Sequence, residues 1–209
     1  IDRRVLRGRI GFFHWAKTPQ GVVFLATQIE QARQGVITAE MEYVAAQEFL
    51  SPECVRDEVA RGRLVIPANL NHLAKRLKPI GIGVATRTKI NANIGNSPIS
   101  SDTACELAKL RCAVAHGSDT VMDLSIDGDL QTLRAELLRQ CPLPFGTVPL
   151  YEAASSAACT NGAPERLSED LLLEVVERQA KQGVDFMTLH CGLTQRALGL
   201  LRADTRRMG

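Results

Sequence analysis

The chain has 209 residues, 45% hydrophobic and 23% charged, a balance that suits one globular domain with a proper core. Its net charge of +2, with basic residues scattered except near the two ends, carries no mark of a nucleic-acid binder. The longest apolar run, Gly21 to Ala26, is far shorter than the roughly 20 residues that span a bilayer, so no membrane partner is expected.

Residues 1–26 show no sustained periodicity. They hold the only tryptophan, Trp15, beside His14 and close to Phe13, which predicts a small hairpin or arm. From Thr27 the pattern turns helical, with Ile29, Ala32 and Val36 on one face. Thr38 caps a second predicted helix carrying Met41, Val44 and Ala45. Ser51-Pro52-Glu53 is a helix start with a cap, a first-turn proline and an acid. Leu64 to Ile66 reads as a short strand ended by Pro67, and Ala68 to His72 as a polar turn. Residues 27–80 thus form a helical prelude.

Residues 81–209 change rhythm. A strand from about Val84 to Asn93 leads to Thr103-Ala104-Cys105-Glu106, a capping-box spacing before a helix carrying Leu107, Leu110 and Val114. A second strand, Thr120 to Leu124, precedes a helix capped by Asp129. A third, Gly146 to Leu150, ends at Tyr151 and is followed by a long predicted loop over 154–167. Ser168 caps the next helix, a fourth strand runs from Val184 to His190, and a last helix begins near Leu193. Strand and helix alternate four times, which argues for βαβ units and a parallel sheet. An open doubly wound sheet and a (β/α)8 barrel both fit, although no GxGxxG follows any strand.

The polar residues Asn93, Asp123, Tyr151 and His190 fall at predicted strand C-termini, where both architectures place their sites. Asn91 and Asn93 share a face if their segment is a strand. Asn is a poor strand former, so the pair is either part of a turn or a strand end presenting amides to a ligand. Six cysteines (Cys54, Cys105, Cys112, Cys141, Cys159 and Cys191) include no CxxC pair. They are read as small core residues of a protein in a reducing, cytoplasmic compartment, with no metal-ligand set among them.

Several ordered stretches carry a resemblance. They are Ala32 to Ala45, Val55 to Arg63, Ile66-Pro67-Ala68-Asn69-Leu70-Asn71-His72, Lys89-Ile90-Asn91-Ala92-Asn93-Ile94-Gly95, Asp119 to Ser125, Pro144 to Tyr151 and Gly183 to His190. Across residues 27–209 the chain resembles the phosphomethylpyrimidine synthase (4-amino-5-hydroxymethyl-2-methylpyrimidine phosphate synthase) family of thiamine biosynthesis. Residues 1–26 are unmatched. The resemblance implies a (β/α)8 TIM barrel, with about four β/α units in this chain, and a homodimer. It also implies a radical rearrangement of 5-aminoimidazole ribotide, driven by S-adenosylmethionine and a 4Fe–4S cluster, with a divalent metal (zinc or iron) alongside. A sister family, 5-hydroxybenzimidazole synthase of cobamide synthesis, is the alternative. A truncated non-catalytic relative is a further one.

A cluster of this kind needs three closely spaced cysteine thiolates. The family carries these, two metal-binding histidines and a Ser-Arg-Gly-Gly stretch in its C-terminal half, and none of them is in this sequence. The chain is therefore expected to be part of a longer enzyme or a truncated relative, unable to perform the chemistry by itself. Its first residue, Ile1, fits a processed product or a piece of a longer polypeptide.

The resemblance carries substrate contacts onto Asn93, Met122, Tyr151 and His190. Asn93, Met122 and Tyr151 recur at intervals of 29 residues, which predicts one level on successive strands. Because residues 1–26 lie outside both the periodicity and the resemblance, their deletion is expected to leave the thermal midpoint nearly unchanged. A fall of about ten degrees, roughly 2 kcal/mol in a domain this size, would contradict that.

Overall fold

A computed structural model describes residues 15–18, 21–24, 26–97, 102–161, 167–192 and 194–203. At the start, β1 (Trp15–Thr18) and β2 (Gly21–Phe24) pair antiparallel with Trp15 opposite Phe24, giving the predicted hairpin.

The prelude follows its caps. In α1 (Gln28–Arg33), Glu30 N–H donates to Thr27 Oγ1 while Thr27 N–H donates to Glu30 Oε2, a full capping box. Thr38 caps α2 (Ala39–Glu48) and Ser51 caps α3 (Pro52–Ala60), with Pro52 in the first turn. These helices pack Ala32, Met41, Val44, Ala45, Val55 and Val59 with Leu64 and Ile66 into a first core.

The expected strand from Val84 to Asn93 forms only at its end, and a separate short strand precedes Val84. β3 (Leu64–Val65) pairs antiparallel with β4 (Ile82–Gly83), and β5 (Asn91–Ile94) belongs to another sheet. Between them the chain leaves the ladder. Thr86 Oγ1 closes a turn onto Gly81 and Gly83, and the Arg87 N–H donates to Glu48 Oε2 at 2.9 Å. The Lys89 ammonium reaches Glu48 at 2.8 Å, and the Arg87 guanidinium reaches Asp119. The polar turn expected at residues 68–72 is instead capped by Asn69 and turned into the short helix α4 (Leu70–Leu73).

The third sheet is parallel, in the order β5–β6–β7–β8, with β6 (Thr120–Asp123), β7 (Phe145–Thr147) and β8 (Phe186–Met187). Helices α5 (Thr103–Ala115) and α6 (Leu130–Gln140) follow the first two strands. Two helices, α7 (Pro149–Asn161) and α8 (Glu169–Gln182), separate β7 from β8, and α9 (Gln195–Ala203) comes last. Most of the predicted 154–167 loop is thus helix. Its alanines are strong helix formers, and Ala157 packs fully buried, as does Ala153 just before it. Residues 162–166 of that expected loop lie outside the described residues.

α5 is capped by Asp102 rather than Thr103, because the Asp102 carboxylate takes the Cys105 N–H at 2.8 Å. Glu106, expected to complete a capping box, turns inward instead and accepts from Gly95 N–H and from Lys109. The second core holds Ile94, Leu110, Val121, Leu133, Leu137, Leu138, Cys141, Phe145 and Val184. Cys141 is the buried cysteine that the sequence led us to expect, and burial pushes its thiol up to about 12. Cys105, Cys112 and Cys191 are exposed, which corrects the reading of the cysteines as core residues. α5 turns Leu110 and Glu106 inward, so Cys105 and Cys112 share the opposite face.

One carboxylate joins prelude to sheet. Asp185 Oδ1 accepts the Asn69 N–H at 2.8 Å, and Oδ2 accepts the Phe145 N–H at 2.7 Å. His72 Nδ1 stands 2.6 Å from the same Oδ2, and its Nε2 2.9 Å from the Cys141 carbonyl. Both His72 and Asp185 side chains are fully buried. The Asn69 side-chain amide donates to the Ala180 and Val184 carbonyls, and that of Asn71 to Lys181.

Removing one partner of a buried, fully bonded pair costs about 3–5 kcal/mol. Asp185→Ala is therefore expected to lower urea-unfolding stability by that order, and a loss under about 1 kcal/mol would contradict the clamp. Glu48 supplies a pH signature. Burial pushes its carboxyl up, but bonds from Lys89 and the Arg87 N–H, with both cations' charge, outweigh it and hold it below the usual range. That stability is fully present above the unfolded carboxylate pKa of about 4 and is lost as pH falls through the folded value. The stability gap between wild type and Glu48→Gln should shrink from pH 5 to pH 3; a constant gap would refute it.

Candidate functional site at the C-terminal edge of the parallel sheet

The strand register sets the first geometry. Asn93 pairs with Met122, Met122 with Gly146, and Gly146 with Phe186, so these four residues form one row across the sheet. Asn93 and Met122 are thus neighbours on adjacent strands. Gly146 is needed there, because an added Cβ would lie 2.2 Å from the Phe186 ring.

Tyr151 does not share that level, contrary to the 29-residue spacing. β7 ends at Thr147, Pro149 opens α7, and the Tyr151 N–H turns back to the Val148 carbonyl at 3.0 Å. Tyr151 therefore stands in the first helical turn, five residues beyond Gly146. His190 lies in the segment after β8. The two rings meet there, with centroids 6.4 Å apart and planes tilted by 37°. Thr188, two residues before His190, directs its hydroxyl toward Met122 Sδ at 3.9 Å. That contact ties the segment carrying His190 to Met122 in the row.

Asn91 and Asn93 lie on one face of β5, and both are exposed. The Asn91 amide donates to Asn93 Oδ1 at 2.7 Å, and Asn91 Oδ1 accepts from Thr120 Oγ1 at 2.8 Å. Thr120 thus orients Asn91, and Asn91 orients Asn93. With its carbonyl oxygen taken, Asn93 has its NH2 left to donate.

Behind the edge the loops are tied together. Gly95 adopts φ +152, and an added Cβ would come within 2.7 Å of the Leu124 backbone. Asp123 is buried and accepts the N–H and hydroxyl of Ser125 at 2.9 and 2.5 Å, while Ser125 Oγ accepts from Asn96 N–H. Burial raises the Asp123 carboxyl above its ordinary value, and the Ser125 bonds and the Arg134 charge only partly offset that.

Thr120, Gly146, Phe186 and Thr188 shape this edge without having been singled out in the sequence. Thr188 sat inside the Met187-Thr188-Leu189-His190 stretch, but its reach to Met122 depends on strand order, which no local pattern reveals. Among the described residues, no group of three or more His, Cys, Asp or Glu could hold a metal ion. No described helix is long and apolar enough to cross a membrane.

Comparison with known proteins agrees with the motifs. A family model described as "Radical SAM ThiC family" matches residues 27–209. Phosphomethylpyrimidine synthase of Methanococcus maripaludis strain C6 is 45% identical over 183 residues, covering 88% of this chain and 42% of that protein. The enzymes of strains C5 and C7 match at the same identity and coverage. The chain thus spans about two fifths of the length of these curated relatives. The chain belongs to the Radical SAM ThiC family.

Proposed function

We propose that this chain supplies the first four β/α units of a (β/α)8 barrel in a phosphomethylpyrimidine synthase, and that the C-terminal edge of its sheet holds 5-aminoimidazole ribotide. Family membership and the names of its relatives support the pathway. The reading extends to a carbon–carbon lyase of the radical type, working as a homodimer. The observation that carries the site assignment is the paired arrangement at one edge: Asn93 beside Met122 by register, and the Tyr151 ring against His190.

Each residue has a role suited to a ribotide. The Asn93 NH2 donates to the imidazole nitrogen or a ribose hydroxyl, held in aim by Asn91 and Thr120. Met122 lays its polarisable thioether against the flat ring. Tyr151 offers its hydroxyl at the rim. His190 donates to a phosphate or hydroxyl oxygen, or moves a proton.

The family uses S-adenosylmethionine with a 4Fe–4S cluster, and a divalent metal is proposed alongside. The described cysteine side chains do not fit a cluster. Cys105 and Cys112 lie a full seven residues apart on the exposed face of α5, and Cys141 is buried against the core. No step through cluster, cofactor or metal is therefore assigned to these residues. Their part is to bind and orient the ribotide.

Calorimetric titration with 5-aminoimidazole ribotide tests this. Asn93→Ala and His190→Ala are each expected to weaken binding by about 1–3 kcal/mol, roughly 5- to 150-fold. Asn91→Ala should cost less, because it acts only through Asn93. Wild-type affinity in both Asn93→Ala and His190→Ala would overturn the assignment.

A further inference from the structure

Directly after Tyr151 comes a charged residue that the proposed reading does not use. Glu152 is 5% exposed and meets three side chains from two neighbouring helices. Its Oε2 accepts from the Arg134 guanidinium on α6 at 2.5 Å and from the Gln179 amide on α8 at 2.7 Å. Its Oε1 accepts from Arg178, also on α8, at 2.9 Å. The set continues to the sheet, where Thr147 Oγ1 on β7 donates to Gln179 Oε1 at 2.6 Å. Arg134 also donates to Gln182 at 2.6 Å.

We propose that Glu152 is a positioning residue: bonded to α6 and α8, it fixes the roll of α7 and so sets the Tyr151 ring against His190. This rests on the reading of Tyr151 and His190 as ribotide contacts. Three observations support it. First, consecutive residues on a helix stand about 100° apart, so a fixed Glu152 fixes the direction of Tyr151. Secondly, after the buried Pro149 that opens α7, the other buried residues near this point besides Glu152 are Ala153 and Ala157, side chains too small to resist rolling by shape. Directional bonds at Glu152 supply that resistance. Thirdly, the set is a costly way to hold helices together. The Nε atoms of Arg134 and Arg178 are buried with no partner among the described residues, and apolar side chains would fill the same space with less desolvation. What the charged set adds over an apolar core is orientation.

Two measurements on the folded protein, well below its midpoint temperature, test this. The first is the His190 ring-proton resonance in histidine-labelled protein, with Tyr151→Leu as the reference for a lost ring contact. The second is 5-aminoimidazole ribotide affinity. Glu152→Gln keeps the shape and removes the charge. It is expected to move the His190 resonance toward its position in Tyr151→Leu and to weaken ribotide binding about tenfold. Thr147→Val, which loosens Gln179 without touching Glu152, should shift both in the same direction by less, and it decides the matter if Glu152→Gln does not fold. A folded variant with a lowered midpoint but the wild-type His190 resonance would show a merely structural role and overturn the proposal. A moved resonance in a protein whose wild type binds no ribotide would uphold the positioning role and remove the ligand reading.

Discussion

The fold depends on the carboxylate of Asp185. It lies just before β8, fully buried, and gathers the N–H of Phe145 at the start of β7, the N–H of Asn69 and the ring of His72. One side chain thus binds two strands of the parallel sheet and the end of the helical prelude. A buried carboxylate is tolerable only when its lone pairs are filled by well-placed donors, and here three donors converge on it. His72 completes the arrangement by reaching the Cys141 carbonyl behind the strands. Without the prelude the Asp185 charge would lack two of its three partners, so prelude and sheet depend on each other for stability.

This clamp stands at the N-terminal edge of the strands. The Glu48–Lys89 and Arg87–Asp119 pairs stand at the same edge and join α2 to β5 and β6. The opposite edge is different in kind. It presents Asn93, Met122, Tyr151 and His190 on short strand ends and a helix turn, with exposed amides and rings rather than closed ion pairs. Parallel α/β architectures divide labour in this way, with stability at one end and ligand chemistry at the other. Buried charge does stand behind this edge, at Asp123, at Glu106 and in the Glu152 set.

Much of this was legible locally. Thr38, Ser51, Asp129 and Ser168 cap their helices as their spacing predicted, because a cap needs only a side chain and an N–H three residues on. Four parallel strands followed from alternation. The errors came where distant contacts outweighed local pattern. Val84 to Ile90 has strand-like composition, but Glu48 and Asp119 draw Arg87 and Lys89 away from the ladder. Residues 68–72 read as a polar turn, yet they are the segment that meets Asp185, 116 residues away from Asn69. The 29-residue spacing placed Met122 correctly beside Asn93, since both lie on full strands. It failed for Tyr151 because β7 stops after three residues and Pro149 begins a helix. His72, fully buried against Asp185, carried no local sign of burial.

The central claim is that this chain meets its ligand at the C-terminal edge of the sheet, while the N-terminal edge is sealed by Asp185. Chemical-shift mapping of the isotope-labelled chain during titration with 5-aminoimidazole ribotide tests it most directly. The account predicts saturable shifts at Asn93, Met122, Tyr151, Thr188 and His190, with Asn69, His72, Phe145 and Asp185 unmoved. Shifts centred on the Asp185 clamp, or none at the strand C-termini, would contradict it.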